Sequence, residues 1–235
     1  MKFELFKNQF DESWHKWVQP IIENPKFDEG FNMIKSFAKT GKVIPSYQTN
    51  NLFRIFREVP FDKVKTVVVG LSPYNIYVNN KEVADGIAMS CSNTGVEQPT
   101  LTQWYDAMTS VYGKNIIRDP DLKYLCEQGV FLYNYSLTCG YKDATSHIPA
   151  WEFFSTQLFK TAISNLEVPV IMLGKEAAKV ESHLMPWQKT FVLKHPAWAS
   201  YNKTQWSDEG AFEEVKKHIQ DKNIPFSWVK YKEQF

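Results

Sequence analysis

The sequence predicts an α/β protein, a three-layer α/β/α sandwich around a central four-stranded, mostly parallel sheet. Three observations carry that expectation. Four short apolar runs, at residues 64–70, 130–134, 168–174 and 190–194, are rich in Val, Leu, Ile or Phe. Unbroken runs of this kind suit parallel strands covered on both faces. Stretches of helical length separate them, as the alternation of an α/β fold requires. Each run also ends in distinctive polar chemistry: Ser72-Pro73-Tyr74-Asn75, Asn134, Gly174-Lys175 and Lys194-His195-Pro196.

The elements follow in order. Phe10, Trp14, Trp17 and Ile21, then Phe31, Ile34 and Phe37, recur at helical spacing through the first forty residues. Asp11-Glu12-Ser13 and Asn24-Pro25 mark helix boundaries, and Thr40-Gly41-Lys42 closes the region. Val43-Ile44-Pro45-Ser46 is an extended link, and residues 51–56 form a short helix. Between the strands, helices are expected over 101–112, 151–165 and 176–184. A last helix at 209–221 precedes the tail Ile224-Pro225-Phe226-Ser227-Trp228.

With 235 residues, 43% of them hydrophobic, the chain fits one large domain, 1–235, better than two small ones. A formal net charge of +1 excludes a global field that draws in polyanions, so any such contact comes from a local patch. Cys91, Cys126 and Cys139 are odd in number and lack CxxC spacing, which fits free thiols in a reducing compartment. The charged residues in Met1-Lys2-Phe3-Glu4-Leu5-Phe6-Lys7 do not suit a signal peptide, and no run approaches a membrane span. An intracellular protein that neither spans nor binds membrane is expected. His147 and His183 lack ligand spacing, so no metal is expected. Gly174-Lys175 lacks the upstream glycine of a P-loop, which argues against triphosphate binding.

In a parallel sheet the four strand ends lie along one edge, where ligands bind. A hydroxyl, an amide, a glycine turn and an imidazole converge there, which is the pattern of an active-site cleft. The flanking segments are as specific as the ends themselves. Residues 51–56 and 61–65 lead into the first strand and its turn. Ala84-Asp85-Gly86-Ile87-Ala88-Met89-Ser90 and Glu97-Gln98-Pro99-Thr100-Leu101 follow. Gly129-Val130-Phe131-Leu132-Tyr133-Asn134 runs on to Leu137-Thr138. Ala144-Thr145-Ser146-His147 precedes Trp151, Glu152 and Phe154. Gly174-Lys175, His195-Pro196 with Ser200, and the tail complete the series.

In order and spacing, these segments resemble the uracil-DNA glycosylases of the first, most widespread type. The resemblance spans most of the chain and implies base flipping, in which a nucleotide is swung out of DNA and read in a pocket. It implies that Ser72 lies in the water-handling loop and that His195 stabilises charge on the leaving base. Leu71, Tyr74, Met89 and Asn134 would form the base pocket, with Asn134 reading the uracil edge and Tyr74 closing off the position of a thymine methyl. Pro99, Thr100, Gly174, Lys175, Trp198, Ala199 and Ser200 would contact DNA, with Lys194 and Lys203 adding a local basic strip. A monomer without cofactor, acting on uracil or a modified pyrimidine in single- or double-stranded DNA, is the corresponding expectation. A replication or repair protein is a further expected partner.

Three positions depart from the family pattern. Ser72 stands where the family has an aspartate that positions water and opposes the positive sugar. Met89 stands where a phenylalanine stacks on the flipped base. Ala199, beside Trp198, stands at the family's leucine wedge. Asp85 and Asp143 are the candidate substitutes for the missing carboxylate. Two functional classes follow: a glycosylase with weakened or altered activity, and a glycosylase fold that binds DNA or a protein partner without turnover.

Overall fold

Four strands form the central sheet: β1 (Thr66–Gly70), β2 (Val130–Asn134), β3 (Val170–Leu173) and β4 (Thr190–Leu193). Their order is β2-β1-β3-β4, and all three pairings are parallel. Every residue of β1 and β3 is buried, as their unbroken apolar sequences require. The computed structural model describes residues 2–41 and 43–232. Lys42, expected to close the N-terminal helical region, lies outside the described residues, as do Met1 and 233–235.

Two groups of helices flank the sheet. His15–Ile22, Pro25–Thr40 and Ile148–Thr161 pack together. Trp14 joins this group to the sheet, with its ring 4.9 Å from Phe131 and its Nε1 donating to the Val59 carbonyl at 2.8 Å. The second group holds Pro99–Tyr112, Pro196–Tyr201 and Ala211–Gln220. There Trp104 meets Phe212 at 4.6 Å between ring centres, and Trp228 donates to the Phe212 carbonyl at 2.8 Å. The main hydrophobic cluster takes residues from Phe3 to Val229.

Three local features complete the fold, and the first departs from expectation. The stretch expected as an α-helix at 176–184 is a 3-10 run, Ala177–His183. Its two buried side chains, Ala177 and Val180, are three residues apart, which matches three residues per turn. The stretch after His195 is the helix Pro196–Tyr201. Proline at its first position has a fixed, helix-compatible φ and lacks only an N–H that would be unpaired anyway. A small hairpin, Tyr77–Val78 against Lys81–Glu82, turns on Asn79 and Asn80 at φ +50° and +61°. Two asparagines tolerate the left-handed backbone that a two-residue hairpin turn demands.

Candidate active site

The sheet register brings the chemistry to one row. Gly70 pairs with Asn134 across β1 and β2, and Leu173 with Leu193 across β3 and β4. Because Val69 pairs with Met172, Gly70 and Leu173 are level as well. From β1 the chain turns toward β2, and from β3 toward β4. The crevice between β1 and β3 is therefore the topological switch point where open α/β sheets bind ligands. Ser72 follows β1 on one side of it and Gly174 follows β3 on the other.

The β1 and β2 ends stay zipped beyond the strands. Tyr135 N–H donates to Gly70 O at 2.9 Å and Ser136 N–H to Leu71 O at 2.8 Å. Cys139 Sγ contacts Pro73 O at 3.4 Å, and Lys142 N–H donates to Asn75 O at 2.8 Å. These bonds fix the Leu71–Asn75 turn from beneath. The Ser72 hydroxyl is partly exposed and joins no hydrogen bond among the described residues. Gly70 is glycine for a steric reason. A methyl there would lie 2.7 Å from Asn134 Oδ1, so the missing side chain is what lets the amide lie over β1.

The Tyr74 hydroxyl donates to the Met89 carbonyl at 3.1 Å. Burial pushes that hydroxyl well above its ordinary pKa, so it stays protonated and keeps donating. Met89 is buried, with φ at +65°, and Ala88 N–H donates to Leu132 O at 3.1 Å. Tyr74 is therefore joined through its hydroxyl to the Met89 segment, which is itself held to β2, the strand that ends in Asn134.

His195 caps the helix Pro196–Tyr201, its Nδ1 accepting from Ala197 N–H at 3.1 Å. A ring nitrogen that accepts carries no proton, so in the neutral imidazole the proton is on Nε2. Burial pushes His195 below its ordinary pKa, which keeps the ring neutral. Gly174 has φ +92°, and a methyl there would come within 3.2 Å of His195 Cβ; both features disfavour a side chain. The result is a neutral N–H donor held by a cap on one side and a bare glycine turn on the other.

Two residues expected at the DNA are buried. Ala199 is 1% exposed, turned into the core by the helix Pro196–Tyr201, so its methyl cannot reach into a groove. Trp198, 47% exposed, is the outward neighbour. Thr100 is also buried, in the first turn of Pro99–Tyr112. Pro99, Lys175 and Lys194 are exposed, and Ser200 is partly so.

Neither candidate carboxylate is free. Asp85, 1% exposed, pairs with Arg54 at 3.1 Å and accepts from Ser90 and Ser92 hydroxyls and from the Ile87 and Ser92 N–H groups. Asp143 accepts from the Thr145 N–H and hydroxyl, both at 3.2 Å. The Asp85 cluster escaped the sequence reading; its signal was the serines at positions 90 and 92, close enough to fold back on the carboxylate. His147, read as a non-ligand, is buried between Phe37, stacked at 4.4 Å, and the Thr138 hydroxyl at 3.0 Å.

No family model matches the chain. The uracil-DNA glycosylase of Campylobacter fetus subsp. fetus is 31% identical over 201 residues, covering 84% of each chain. That of Flavobacterium johnsoniae is 27% identical over 215 residues, covering 90% of this chain and 95% of its own. Among solved structures, mimivirus uracil-DNA glycosylase superposes with a TM-score of 0.82 at 17% identity, covering 93% of this chain and 87% of the other. That likeness shows the α/β sandwich fold. No helix among the described residues is long and apolar enough to cross a membrane.

Proposed function

Because the chain belongs to the uracil-DNA glycosylase family, we propose that it swings a uracil-type base out of DNA into the crevice between β1 and β3 and hydrolyses the bond joining base to sugar. It does so as a divergent member of the family's first type, one domain over 1–235, with a serine where the catalytic aspartate belongs. The observation that carries this reading is the shared row of strand ends bearing Asn134 and leading to His195.

Asn134 presents a donor and an acceptor side by side, which match the edge of a uracil. Tyr74, fixed to the Met89 carbonyl, occupies the space beside the base where a 5-methyl group would project. Met89 replaces an aromatic stack with a polarizable side chain. Water held at Ser72 adds its oxygen to the sugar C1′ as the bond from C1′ to the base nitrogen breaks. The bonding pair leaves with the base, and the water's second proton passes to solvent. Negative charge grows on a base oxygen, where the neutral Nε2–H of His195 donates. Ser72 brings no charge to oppose the positive sugar. Losing one preorganised electrostatic group typically costs about a hundred- to a thousandfold in rate, and the proposed activity is slow on that account. Pro99, Gly174, Lys175, Trp198 and Ser200 meet the DNA, and the setting is base excision repair inside the cell, as a monomer.

One observation favours a second reading, a DNA-binding or scaffold module without turnover: Asp85 and Asp143 are both committed to structural bonds. Incubation with labelled oligonucleotides bearing uracil, 5-substituted uracils or thymine separates the two. Slow release of uracil with none of thymine supports the glycosylase. Tight binding with no release from any of them supports the module. Neither binding nor release overturns both.

A further inference from the structure

Past the two outer strands stand two exposed aromatic rings, each backed by a lysine. After β4, Lys194 Nζ lies 4.7 Å from the ring centre of Trp198. Beyond β2, Lys142 Nζ lies 5.2 Å from that of Tyr141, which is 45% exposed. β2 and β4 are the outer strands of the sheet, and Tyr141 follows the one and Trp198 the other. Each is tied to a site loop. Trp198 N–H donates to His195 O at 2.9 Å, and Lys142 N–H to Asn75 O at 2.8 Å. Tyr77 of the small hairpin packs edge-on against Tyr141 at 5.7 Å and braces it. Beside Trp198, an open cavity of about 530 Å³ runs between Lys175, Val192 and Lys194. Lys142, Lys175 and Lys194 join no ion pair among the described residues, so their charges remain available to phosphates.

We propose that Trp198 and Tyr141 are stacking platforms for the unpaired nucleobases on either side of the flipped nucleotide, with Lys194 and Lys142 holding the adjoining phosphates. The proposal rests on the DNA-binding reading above and names which form of DNA the flanks accept. The buried Ala199 provides no wedge to fill the gap a flipped base leaves in a duplex. Bases of a single strand are free to rotate onto an aromatic face, whereas those of a duplex stay paired and stacked. Stacking on an aromatic side chain is worth about a 5- to 150-fold change in affinity per base. The platforms therefore act selectively on single strands.

The test uses uracil-free DNA, so that it is independent of the chemistry. A fluorescein-labelled oligodeoxynucleotide of about 12 nucleotides, within the usual single-strand site sizes, is titrated by anisotropy as single strand and as duplex. The parent is compared with Trp198→Ala, Tyr141→Ala and the two Phe replacements, each checked for an unchanged melting temperature. Each Ala variant is expected to lose about tenfold in single-strand affinity, with duplex affinity within about twofold of the parent and both Phe variants near parental. Unchanged single-strand affinity, or an equal loss on both forms, overturns the platforms. Uracil release is scored separately. Its absence with the expected binding pattern counts against the glycosylase reading and leaves the platforms standing.

Discussion

Gly70→Ala tests the site with a single methyl group. That methyl lies 2.7 Å from Asn134 Oδ1, while its next contact, the Tyr133 carbonyl, is an ordinary 3.9 Å away. Reaching normal van der Waals separation moves the amide oxygen by about 0.7 Å or more, and displacements near 1 Å in a positioned group cost about a hundredfold. The backbone at Gly70 lies in a regular strand outside the positive-φ region, so alanine fits it. Alanine there even removes unfolded-chain entropy worth about 0.4–1 kcal/mol. The expected result is a melting temperature at or above the parent's with uracil release and uracil-selective binding lowered about a hundredfold. Asn134→Ala should give a loss of the same order. The double variant should lose little more, because both changes remove one interaction. Single-turnover kinetics and competition between uracil and thymine oligonucleotides provide the readouts. Parental uracil selectivity in Gly70→Ala, or fully additive losses in the double variant, would refute the assignment of Asn134 as base reader.

Other outcomes follow from the same geometry. Asp85→Asn removes one partner of a buried pair with Arg54 and should destabilise the fold by about 3–5 kcal/mol in urea titration. A variant of parental stability that had lost uracil release would instead make Asp85 the missing acid. Burial lowers the His147 pKa to about 4. The unfolded chain then binds a proton that the folded protein refuses, and stability should fall as pH drops from about 6.5 toward 4. Melting curves across that window, compared with His147→Gln, should show a shallower pH dependence in the variant. Met89→Phe restores an aromatic face under the base and should tighten uracil-oligonucleotide binding severalfold; weaker binding would place the base elsewhere.

Much of the fold is legible in the sequence because buried parallel strands need unbroken apolar runs, and β1 to β4 lie within the four runs that stand out. The placement of Asn134 and His195 at the strand ends is legible for a related reason: they end or closely follow those runs. What escaped depends on contacts distant in sequence or on a choice of helix type. The inward turn of Ala199 and Thr100 follows from helices whose start the proline marks but whose rotation only packing sets. The capture of Asp85 by Arg54 spans 31 residues and leaves no periodic trace. The 3-10 run at Ala177–His183 shows the same apolar spacing, three apart, that an α-helix also allows.

The central claim is that this crevice is a uracil site whose rate is limited by its missing carboxylate. Single-turnover release of uracil from one labelled single strand, by the parent and by Ser72→Asp side by side, tests it most directly. The expected result is slow but measurable release by the parent and a rate about a hundred- to a thousandfold higher in the variant. Both rates should collapse when His195→Ala is added. A Ser72→Asp protein that folds and binds the oligonucleotide yet releases no uracil faster than the parent contradicts the claim.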